Sequence, residues 1–302
     1  MISSDNIEQQ RIINLMASKQ IIMACDDNII FDNEIHRFQL DCDKDSKKSG
    51  WYSINDNYIN FGSWKTDERY SLKLNDQTCT AEFVKEKVDR KVLLERQQKL
   101  LDSQNIAAEA AWNIWESASA CLSHRYLDNK TVNPYGLRVY NENILVPLIN
   151  GKGELRSLQF INNDGSKWFH KKGEIKGNYF FIGDINKSEK AFICEGYSTA
   201  ATLYAVTGIP QVISFNAGNL TKVSNNIRER LPNTDIFIAA DNDSYNEINT
   251  GLVKGKQAAR SINATLIYPE FINGDIGSDF NDFAKLYGNT QLLDLLNCVE
   301  AL

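Results

Sequence analysis

Acidic residues follow short apolar runs at three places in the last third of the chain. Glu195 comes directly after AFIC, Asp241 and Asp243 come after DIFIAA, and Asp279 opens the group DFND, which ends at Asp282. If these runs are strands of an open α/β sheet, their carboxyl ends are where functional groups gather. Carboxylates held close together raise one another's pKa, and a divalent cation removes that cost. The pattern therefore predicts a site for Mg²⁺ or Mn²⁺ beside a phosphate-bearing substrate.

Charge is distributed unevenly along the 302 residues. The net charge of −6 would not by itself predict nucleic-acid binding, yet residues 130–180 carry eight basic side chains against four acidic ones. Residues 230–302 reverse this balance, with ten acidic against five basic side chains. Such a distribution is typical of a protein that holds a polyanion in one place and a metal in another. Two simpler explanations stay open: chance variation on a solvated surface, and a role for Asp243 and Asp279 as helix N-caps only.

The elements that must position these acids alternate between strand and helix. From residue 190 onward, the runs AFIC, QVISFN, DIFIAA and ATLIYP are short and almost wholly apolar, as in strands buried on both faces. The stretches YSTAATLYAVTG, NLTKVSNNIRERL and GLVKGKQAARSI between them have a helical composition. This alternation predicts an α/β fold with a mostly parallel sheet.

The pattern upstream changes three times, so we expect an α+β chain overall. GWYSINDNYINFGSWKT alternates aromatic and polar residues and predicts hairpins, whereas residues 80–124 lack Gly and Pro and predict one or two long helices. Residues 133–183 return to strand patterns. We therefore predict an N-terminal module at 1–80, a helical connector at 81–126, a basic β-rich subdomain at 127–187 and an α/β domain at 188–302.

Other features exclude several classes of protein. No window of 18 apolar residues is present, and the N-terminus lacks a basic stretch followed by an apolar core, so we expect a cytoplasmic protein without a membrane span. The six cysteines form no CxxC pair and the three histidines lie far apart. A zinc site and a disulfide framework are therefore not expected.

The motifs ICEGYSTA, IAADND and SDFND together resemble the Toprim domain of DnaG-type primases, topoisomerases, small nucleases and the recombination mediator RecR. The resemblance implies a Rossmann-like, mostly parallel sheet. It also implies that Glu195, Asp241 and Asp243 bind catalytic metal, with Asp279 and Asp282 in support. Bacterial DnaG-type primases commonly carry another acid four residues after the Glu, and that position here is a threonine, at 199.

The segment before these motifs resembles the basic subdomain that holds template and nucleotides in primases. It runs through VPLINGKGELRSLQF and KWFHKKGEIKGNYFFIG, and Lys172 is most like the invariant primase lysine that precedes a glycine. Lys172 is therefore expected to serve catalysis together with the three acids. The implied contacts to nucleic acid and nucleotides are Arg138, Arg156, Lys167, Lys171, Lys172 and Lys176. Trp168 and Phe169 either stack bases or pack in the core. For His170, assistance to the lysines is the less favoured alternative. Tyr197 is expected to pack rather than act as a topoisomerase nucleophile.

The phrases HRF, GWY, FGSWKT and HRYLDNKTVNPYGLRV extend the resemblance, over about residues 32–287, to primases of phages and conjugative plasmids. They imply metal-dependent synthesis of short RNA primers from NTPs on single-stranded DNA, for phage or plasmid replication. No GxxxxGK[ST] motif is present, so a replicative helicase is expected as a separate partner. The zinc ribbon of DnaG-type primases is also missing, so either residues 1–80 form a template-handling module in its place or a partner chooses the template. A catalytically weak nucleic-acid-binding module and a Toprim nuclease remain alternatives.

Overall fold

The computed structural model of the chain describes residues 4–24, 29–32, 34–43, 47–55, 58–66, 68–73, 90–245, 249–272 and 274–300. The chain divides into two compact units, Met1–Leu93 and Leu94–Leu302. The domain boundaries expected from the sequence stay a prediction.

The first unit packs helix α1 (Ser4–Ala17) with an antiparallel sheet of strand order β1-β2-β3-β4. The strands are β1 (His36–Phe38), β2 (Gly50–Asn55), β3 (Tyr58–Ser63) and β4 (Glu68–Lys73). Ile12 and Met16 of the helix are fully buried with Phe38, Phe61 and other inward side chains. The predicted hairpins are confirmed. The helix was not expected, because its first turns are almost entirely polar and show little apolar periodicity.

The second unit contains most of the long helix α2 (Arg90–Ser117). It confirms the helix predicted over 80–124 between residues 90 and 117, and residues 80–89 lie outside the described residues. The prediction was wrong for residues 118–124, which are not helical and include a short strand at Ser119–Ala120. Ala111 of this helix is fully buried with Leu145 and Leu158 of the sheet that follows. Neither α2 nor another helix among the described residues has the length and apolar character needed to span a bilayer.

An antiparallel sheet, called the middle sheet, follows α2 with strand order β5-β6-β7-β8-β9. Its strands are β5 (Ser119–Ala120), β6 (Arg138–Tyr140), β7 (Asn143–Ile149), β8 (Leu155–Ile161) and β9 (Lys167–Phe169), and α3 (Arg125–Lys130) lies between β5 and β6. Strands β6 to β9 lie within residues 133–183, where the sequence predicts strands, whereas β5 lies where a helix was predicted.

The remaining residues form a mostly parallel sheet, called the C-terminal sheet, with strand order β10-β12-β11-β13-β14. Strand β10 is antiparallel to β12, whereas the other neighbours run parallel. The predicted α/β fold is confirmed. The elements, in chain order, are β10 (Phe180–Ile182), β11 (Lys190–Cys194), α4 (Tyr197–Thr207), β12 (Gln211–Ile213), α5 (Ala217–Arg230), β13 (Asp235–Ala239), α6 (Thr250–Ile262), β14 (Thr265–Ile267), α7 (Phe280–Tyr287) and α8 (Asn289–Glu300).

Apolar side chains cover both faces of the C-terminal sheet. On one face, Ile193 and Ile238 are buried with side chains of α5 and α6. On the other face, Phe192 and Cys194 are buried with side chains of α4, α7 and α8. Because successive residues of β11 serve opposite faces, the strand must be apolar throughout, which is the signal that the sequence carries.

Helix α6 lies close to the residue that precedes Asp241. A Cβ placed on Gly255 would come within 2.5 Å of the Cβ of Ala240 and 3.2 Å of Leu266 Cδ1. The absence of a side chain at 255 therefore sets the distance between α6 and the end of β13.

We expect Gly255→Ala to lower the free energy of unfolding by about 1–3 kcal/mol, the usual cost of an overpacked contact. This clash outweighs the roughly 1 kcal/mol that alanine ordinarily adds to helix stability over glycine. Urea denaturation followed by circular dichroism measures the change. Gly151→Ala serves as the control, because a Cβ there meets nothing within 4 Å; an equally stable Gly255→Ala protein would contradict this packing.

Candidate active site

Glu195 and Asp241 lie at the ends of two neighbouring parallel strands. The last residue of β11, Cys194, is the register partner of Ala239, the last residue of β13. Glu195 follows β11 directly, and Asp241 follows β13 after one residue. The two acids therefore leave the C-terminal sheet at the same edge, as the sequence pattern predicts.

Four acids interact electrostatically at this edge. The pKa of Asp241 lies well above its ordinary value because of burial and, to a lesser extent, the charges of Glu195, Asp279 and Asp243. Burial also raises the pKa of Glu195, the backbone N–H of Ala217 opposes this rise, and the charge of Asp243 adds to it. The pKa of Asp279 is raised as well, mainly by burial. Glu195, Asp241, Asp243 and Asp279 are called the carboxylate cluster.

The carboxylate cluster has the properties of a cation site. Oδ1 of Asp241 is buried and has no hydrogen-bond partner among the described residues, and such an atom costs free energy unless it is neutralised. Within the same residues, no three acidic, histidine or cysteine side chains already converge as a metal-ligand set. The members of the carboxylate cluster offer oxygen ligands only, which Mg²⁺ and Mn²⁺ prefer, whereas zinc sites are mostly built with Cys and His.

Asp282 is held differently from the carboxylate cluster. Its Oδ1 accepts a hydrogen bond from Lys130 Nζ at 3.3 Å, and its Oδ2 accepts one from the backbone N–H of Ser278 at 3.2 Å. Asp279 caps α7 by accepting from the backbone N–H of Asp282 at 2.8 Å, so it is both a cap and a cluster member. Asp243 caps none of the described helices. Both oxygens of Asp282 are engaged, and its role at a metal stays a prediction.

Asn242 fixes the loop that carries Asp241. Its side-chain amide donates to the carbonyl of Pro269 at 2.7 Å, and its backbone N–H donates to the carbonyl of Ser278 at 2.7 Å. Its Oδ1 accepts from Asn249 Nδ2 at 2.8 Å. Sequence reasoning singled out only the two flanking acids, because these hydrogen bonds join segments that are far apart in the chain.

Lys167 belongs to the middle sheet, and its positive charge acts on the carboxylate cluster. It begins β9, and its charge acts against burial by lowering the pKa of Glu195 and Asp241. Its Nζ lies 5.6 Å from the centre of the Tyr126 ring. A cleft of about 400 Å³ opens beside it, a volume typical of small-ligand pockets. Its lining includes Lys130, Lys167, Ser198, Asp279 and Lys285.

The other predicted lysines lie on the segment between β9 and β10. Lys171, Lys172 and Lys176 are exposed. Lys172 has a left-handed φ of 63°, and Gly173 closes the turn by donating to the carbonyl three residues back at 3.0 Å. A side chain at 173 would overlap the hydroxyl of Ser157, so only glycine fits there. These side chains are exposed to solvent, and their contacts with phosphate stay a prediction.

Asn219 joins this lysine-bearing segment to the C-terminal sheet. It lies in the first turn of α5 and is only 3% exposed. Its Oδ1 accepts from the backbone N–H of Gly177 at 2.7 Å. Its Nδ2 lies within hydrogen-bond distance of three carbonyls, those of Ile175 at 3.1 Å and of Asn178 and Ser214 at 3.0 Å. No motif pointed to this residue.

Arg138 and Arg156 are engaged inside the protein. Arg138 donates to the carbonyl of Trp115 at 2.5 Å, and its guanidinium lies 4.6 Å from that residue's ring centre. Arg156 pairs with Glu174 at 2.9 Å and donates to Asn105 at 3.0 Å. Their contact with nucleic acid stays a prediction, and these bonds would have to be shared or exchanged for it.

The two aromatic residues of β9 have different surroundings. Trp168 is 43% exposed and stacks on Phe160, with ring centres 5.5 Å apart and planes within 4°. Phe169 packs edge-on against Phe215, with ring centres 6.1 Å apart, beside the main core. Trp168 is thus free to stack a base on its open face, whereas Phe169 serves packing.

Three further residues from the motifs are enclosed. Tyr197 is 1% exposed and donates to the carbonyl of Asn133 at 2.8 Å, which confirms that it packs. Nδ1 of His170 is buried without a hydrogen-bond partner among the described residues. The hydroxyl of Thr199 is buried beside Asp279, and its hydrogen bond to that carboxylate opposes the rise in the pKa of Asp279. The position where DnaG-type primases commonly have an acid therefore carries a buried, uncharged group.

Comparison with known proteins identifies the C-terminal part. Residues 190–290 match the family model described as the Toprim domain. This part of the chain is a Toprim domain. All four members of the carboxylate cluster lie within it, whereas Lys167 and the other predicted basic residues precede it. The Toprim domain thus supplies the acids, and the middle sheet and the segment after it supply the lysines.

The chain is also similar to proteins of known activity. DNA primase TraC of Escherichia coli is 26% identical over 272 residues, which are 82% of this chain and 25% of TraC. The chain thus spans about a quarter of that relative. Among solved structures, the primase fragment of the bacteriophage T7 primase-helicase protein has a TM-score of 0.45 and 13% identity, covering 58% of this chain and 74% of the fragment. A DnaG catalytic core has a TM-score of 0.43 and 10% identity, covering 66% of this chain and 79% of the core.

We expect Asp241→Asn to raise the free energy of unfolding at pH 7.5, without divalent cations, by at least about 1 kcal/mol. A carboxyl whose pKa rises on folding stabilises the folded state while protonated, so the parent protein loses stability as pH increases from about 4 through the raised pKa. Each unit of that rise corresponds to about 1.4 kcal/mol. The gain should therefore grow as the pH increases above about 4. Thermal denaturation in EDTA at a series of pH values measures it.

Adding MgCl₂ should raise the melting temperature of the parent and have less effect on Asp241→Asn, because the ion binds the folded state through the lost charge. Asp235→Asn is the control, since Asp235 is an exposed acid at the start of the same strand. A destabilised Asp241→Asn protein, or one that gains as much from Mg²⁺ as the parent, would contradict the assignment.

Proposed function

We propose that this chain is a primase, a metal-dependent enzyme that synthesises short RNA primers from NTPs on single-stranded DNA. The observation that carries the proposal is the cleft that Lys167 and Asp279 line together, beside buried carboxylates within a Toprim domain. Similarity to DNA primase TraC over 82% of the chain supports it. A role in phage or plasmid replication, with a separate replicative helicase, belongs to the same proposal.

Glu195, Asp241 and Asp243 would hold Mg²⁺ or Mn²⁺, with Asp279 in support. When bound, the ion supplies positive charge to the phosphate oxygens and to the attacking oxygen. Asn242 orients the acids through its backbone and side-chain hydrogen bonds. Asp282 acts less directly, because it holds the ammonium group of Lys130 at the cleft.

The lysines would bind and orient the phosphates. Lys167 lines the cleft, and its positive charge lowers the pKa of Glu195 and Asp241 in the carboxylate cluster. It is therefore suited to bind a phosphate held there. Lys171, Lys172 and Lys176 are exposed point charges on a segment that Asn219 fixes to the Toprim domain, so they suit the backbone of a template strand. Trp168 offers an open ring face on which a base can stack.

A second candidate function rests on position 199. The uncharged threonine leaves the carboxylate cluster with one acid fewer than DnaG-type primases commonly have, which favours a module that binds nucleic acid with little synthesis. A Toprim nuclease would use the same acids to activate water.

Incubation with single-stranded DNA, labelled NTPs and Mg²⁺ or Mn²⁺ separates the three functions. We expect short RNA products from the parent and from Asp235→Asn, and at least about a 100-fold loss in Asp241→Asn, because the charge that holds the ion is gone. Degraded DNA would instead indicate the nuclease, and binding without products would indicate the weak module. Full synthesis by Asp241→Asn would remove this acid from the mechanism.

Replacing Lys171 and Lys172 together by Gln should weaken binding to single-stranded DNA and reduce its dependence on salt. Each lost phosphate contact lowers the log–log salt slope by roughly 0.7. Fluorescence anisotropy between 50 and 300 mM NaCl measures the slope. The matched control is Lys152→Gln with Lys187→Gln, which removes the same charge from exposed positions elsewhere. Equal slopes in the test and control proteins would mean that Lys171 and Lys172 are only solvated.

A further inference from the structure

The outward face of the N-terminal sheet carries an arginine–tryptophan row. Register pairs connect Arg37 of β1, Trp51 of β2, Gly62 of β3 and Arg69 of β4 across the four strands. Both arginines are exposed and the tryptophan is half-buried. Because partners in register point to the same side of a sheet, these side chains share one surface, which is called the outer face.

The next row of the outer face is small and polar. It consists of Ser53, Asn60 and Ser71, again connected by register. Neither row contains an acid; the acid of β4, Glu68, has the opposite parity and accepts a hydrogen bond from Thr66 at the strand end. The two rows therefore carry positive charge and hydrogen-bonding groups around an aromatic ring.

The opposite face of the same sheet is sealed. Phe38, Tyr52, Phe61 and Leu72 are at most 3% exposed and lie in one core with α1. The hydrophobic core of this unit therefore lies on the face opposite the outer face, and Trp51 does not belong to that core. Core packing thus does not explain the large aromatic side chain of Trp51 on the outer face.

Two indole rings form a platform at one end of the outer face. Trp64, just after β3, is 51% exposed, and its ring centre lies 5.6 Å from that of Trp51. A Cβ on Gly62 would come within 3.0 Å of Trp51 Cζ2 and would overlap the carbonyl of Glu68. Glycine at 62 is therefore what lets the indole of Trp51 lie across the neighbouring strand.

Arg37 holds its charge in place beside this platform. Its guanidinium donates to the carbonyl of Lys48 through Nε at 3.1 Å and through Nη2 at 2.8 Å. Exposed aromatic rings that stack bases, flanked by cations that meet phosphates, are the chemistry with which proteins bind single strands. In its two rows, the outer face carries cations and no acid, which makes it complementary to a polyanion and poorly suited to a basic partner.

We infer that the outer face, with Trp51, Trp64, Arg37 and Arg69, is a binding surface for single-stranded DNA, distinct from the carboxylate cluster. The inference rests on the proposed function in one respect: a primase must hold a template strand, and this face gives that task to named residues of the first unit. Bases stack on the two indoles, and the arginines offset phosphate charge.

The test measures binding of a fluorescein-labelled 15-nucleotide oligo(dT) to the full-length chain by anisotropy, in EDTA so that metal at the carboxylate cluster plays no part. We expect Trp64→Ala to weaken binding between about 5-fold and 100-fold, the range found for loss of one base-stacking ring. Trp64→Phe should restore most of the affinity. Trp112→Ala is the matched control, because Trp112 is also 51% exposed but lies on α2.

A second pair of variants tests charge without removing a ring. Ser71→Glu places an acid on the outer face and should weaken binding by about 3-fold or more. Ser18→Glu adds the same charge to the same unit at an exposed position of the segment after α1, and should bind as the parent does. Unchanged affinity in Trp64→Ala and Ser71→Glu, with melting temperatures like the parent's, would overturn the inference and leave the face to a protein partner.

Measuring primer synthesis with the same protein preparations distinguishes a failure of this inference from a failure of the proposed function. If the parent makes primers while Trp64→Ala binds DNA as the parent does, the inference fails and the proposed function stands. If the parent makes no primers but the Trp64 and Ser71 variants lose DNA binding, the proposed function fails and the outer face stands.

Discussion

The burial of several carboxylates at one edge of a sheet is the constraint around which the second unit is organised. Glu195, Asp241 and Asp279 each have a raised pKa because they are partly removed from water at one edge of a sheet. At neutral pH each ionised acid therefore opposes folding. Strands β11 and β13 overcome this opposition by burying apolar side chains on both faces, against α5 and α6 on one side and against α4 and α7 on the other.

Uncharged amides position the groups around the carboxylate cluster. Asn242 fixes the loop of Asp241, Asn219 fixes the lysine-bearing segment, and Asn281 donates from α7 to the carbonyl of Lys130 and the hydroxyl of Thr202. An amide offers two donors and two acceptor sites without adding charge. It can therefore join distant backbone segments beside ionised acids without changing their balance.

The sequence predicted what local patterns control. Apolar runs that end in acids fix both the strands and the edge at which Glu195 and Asp241 meet, because chain direction alone decides which ends come together. The position of Lys167 near the acids was implied only by the family resemblance, and the role of Asn219 was not predicted at all, since the partners of both residues lie tens of residues away and depend on how two sheets pack. The hydrogen bonds and the ion pair that Arg138 and Arg156 form within the protein were not predicted, for the same reason. A sequence shows that a residue is cationic, but it does not show whether a carbonyl or carboxylate of the same chain binds that cation.

Strand β10 has a consequence for how the Toprim sheet forms. It precedes β11 in the chain yet pairs antiparallel with β12, outside the parallel part of the sheet. Without it, the fully buried Gln211, Val212 and Ile213 would form an edge with unpaired backbone groups, which invites pairing with another chain. Because proteins are synthesised from the N-terminus, β10 leaves the ribosome before β12. Strand β10 is therefore already available to pair when β12 leaves the ribosome. This order of the strands in the chain protects the newly made sheet against pairing with another chain.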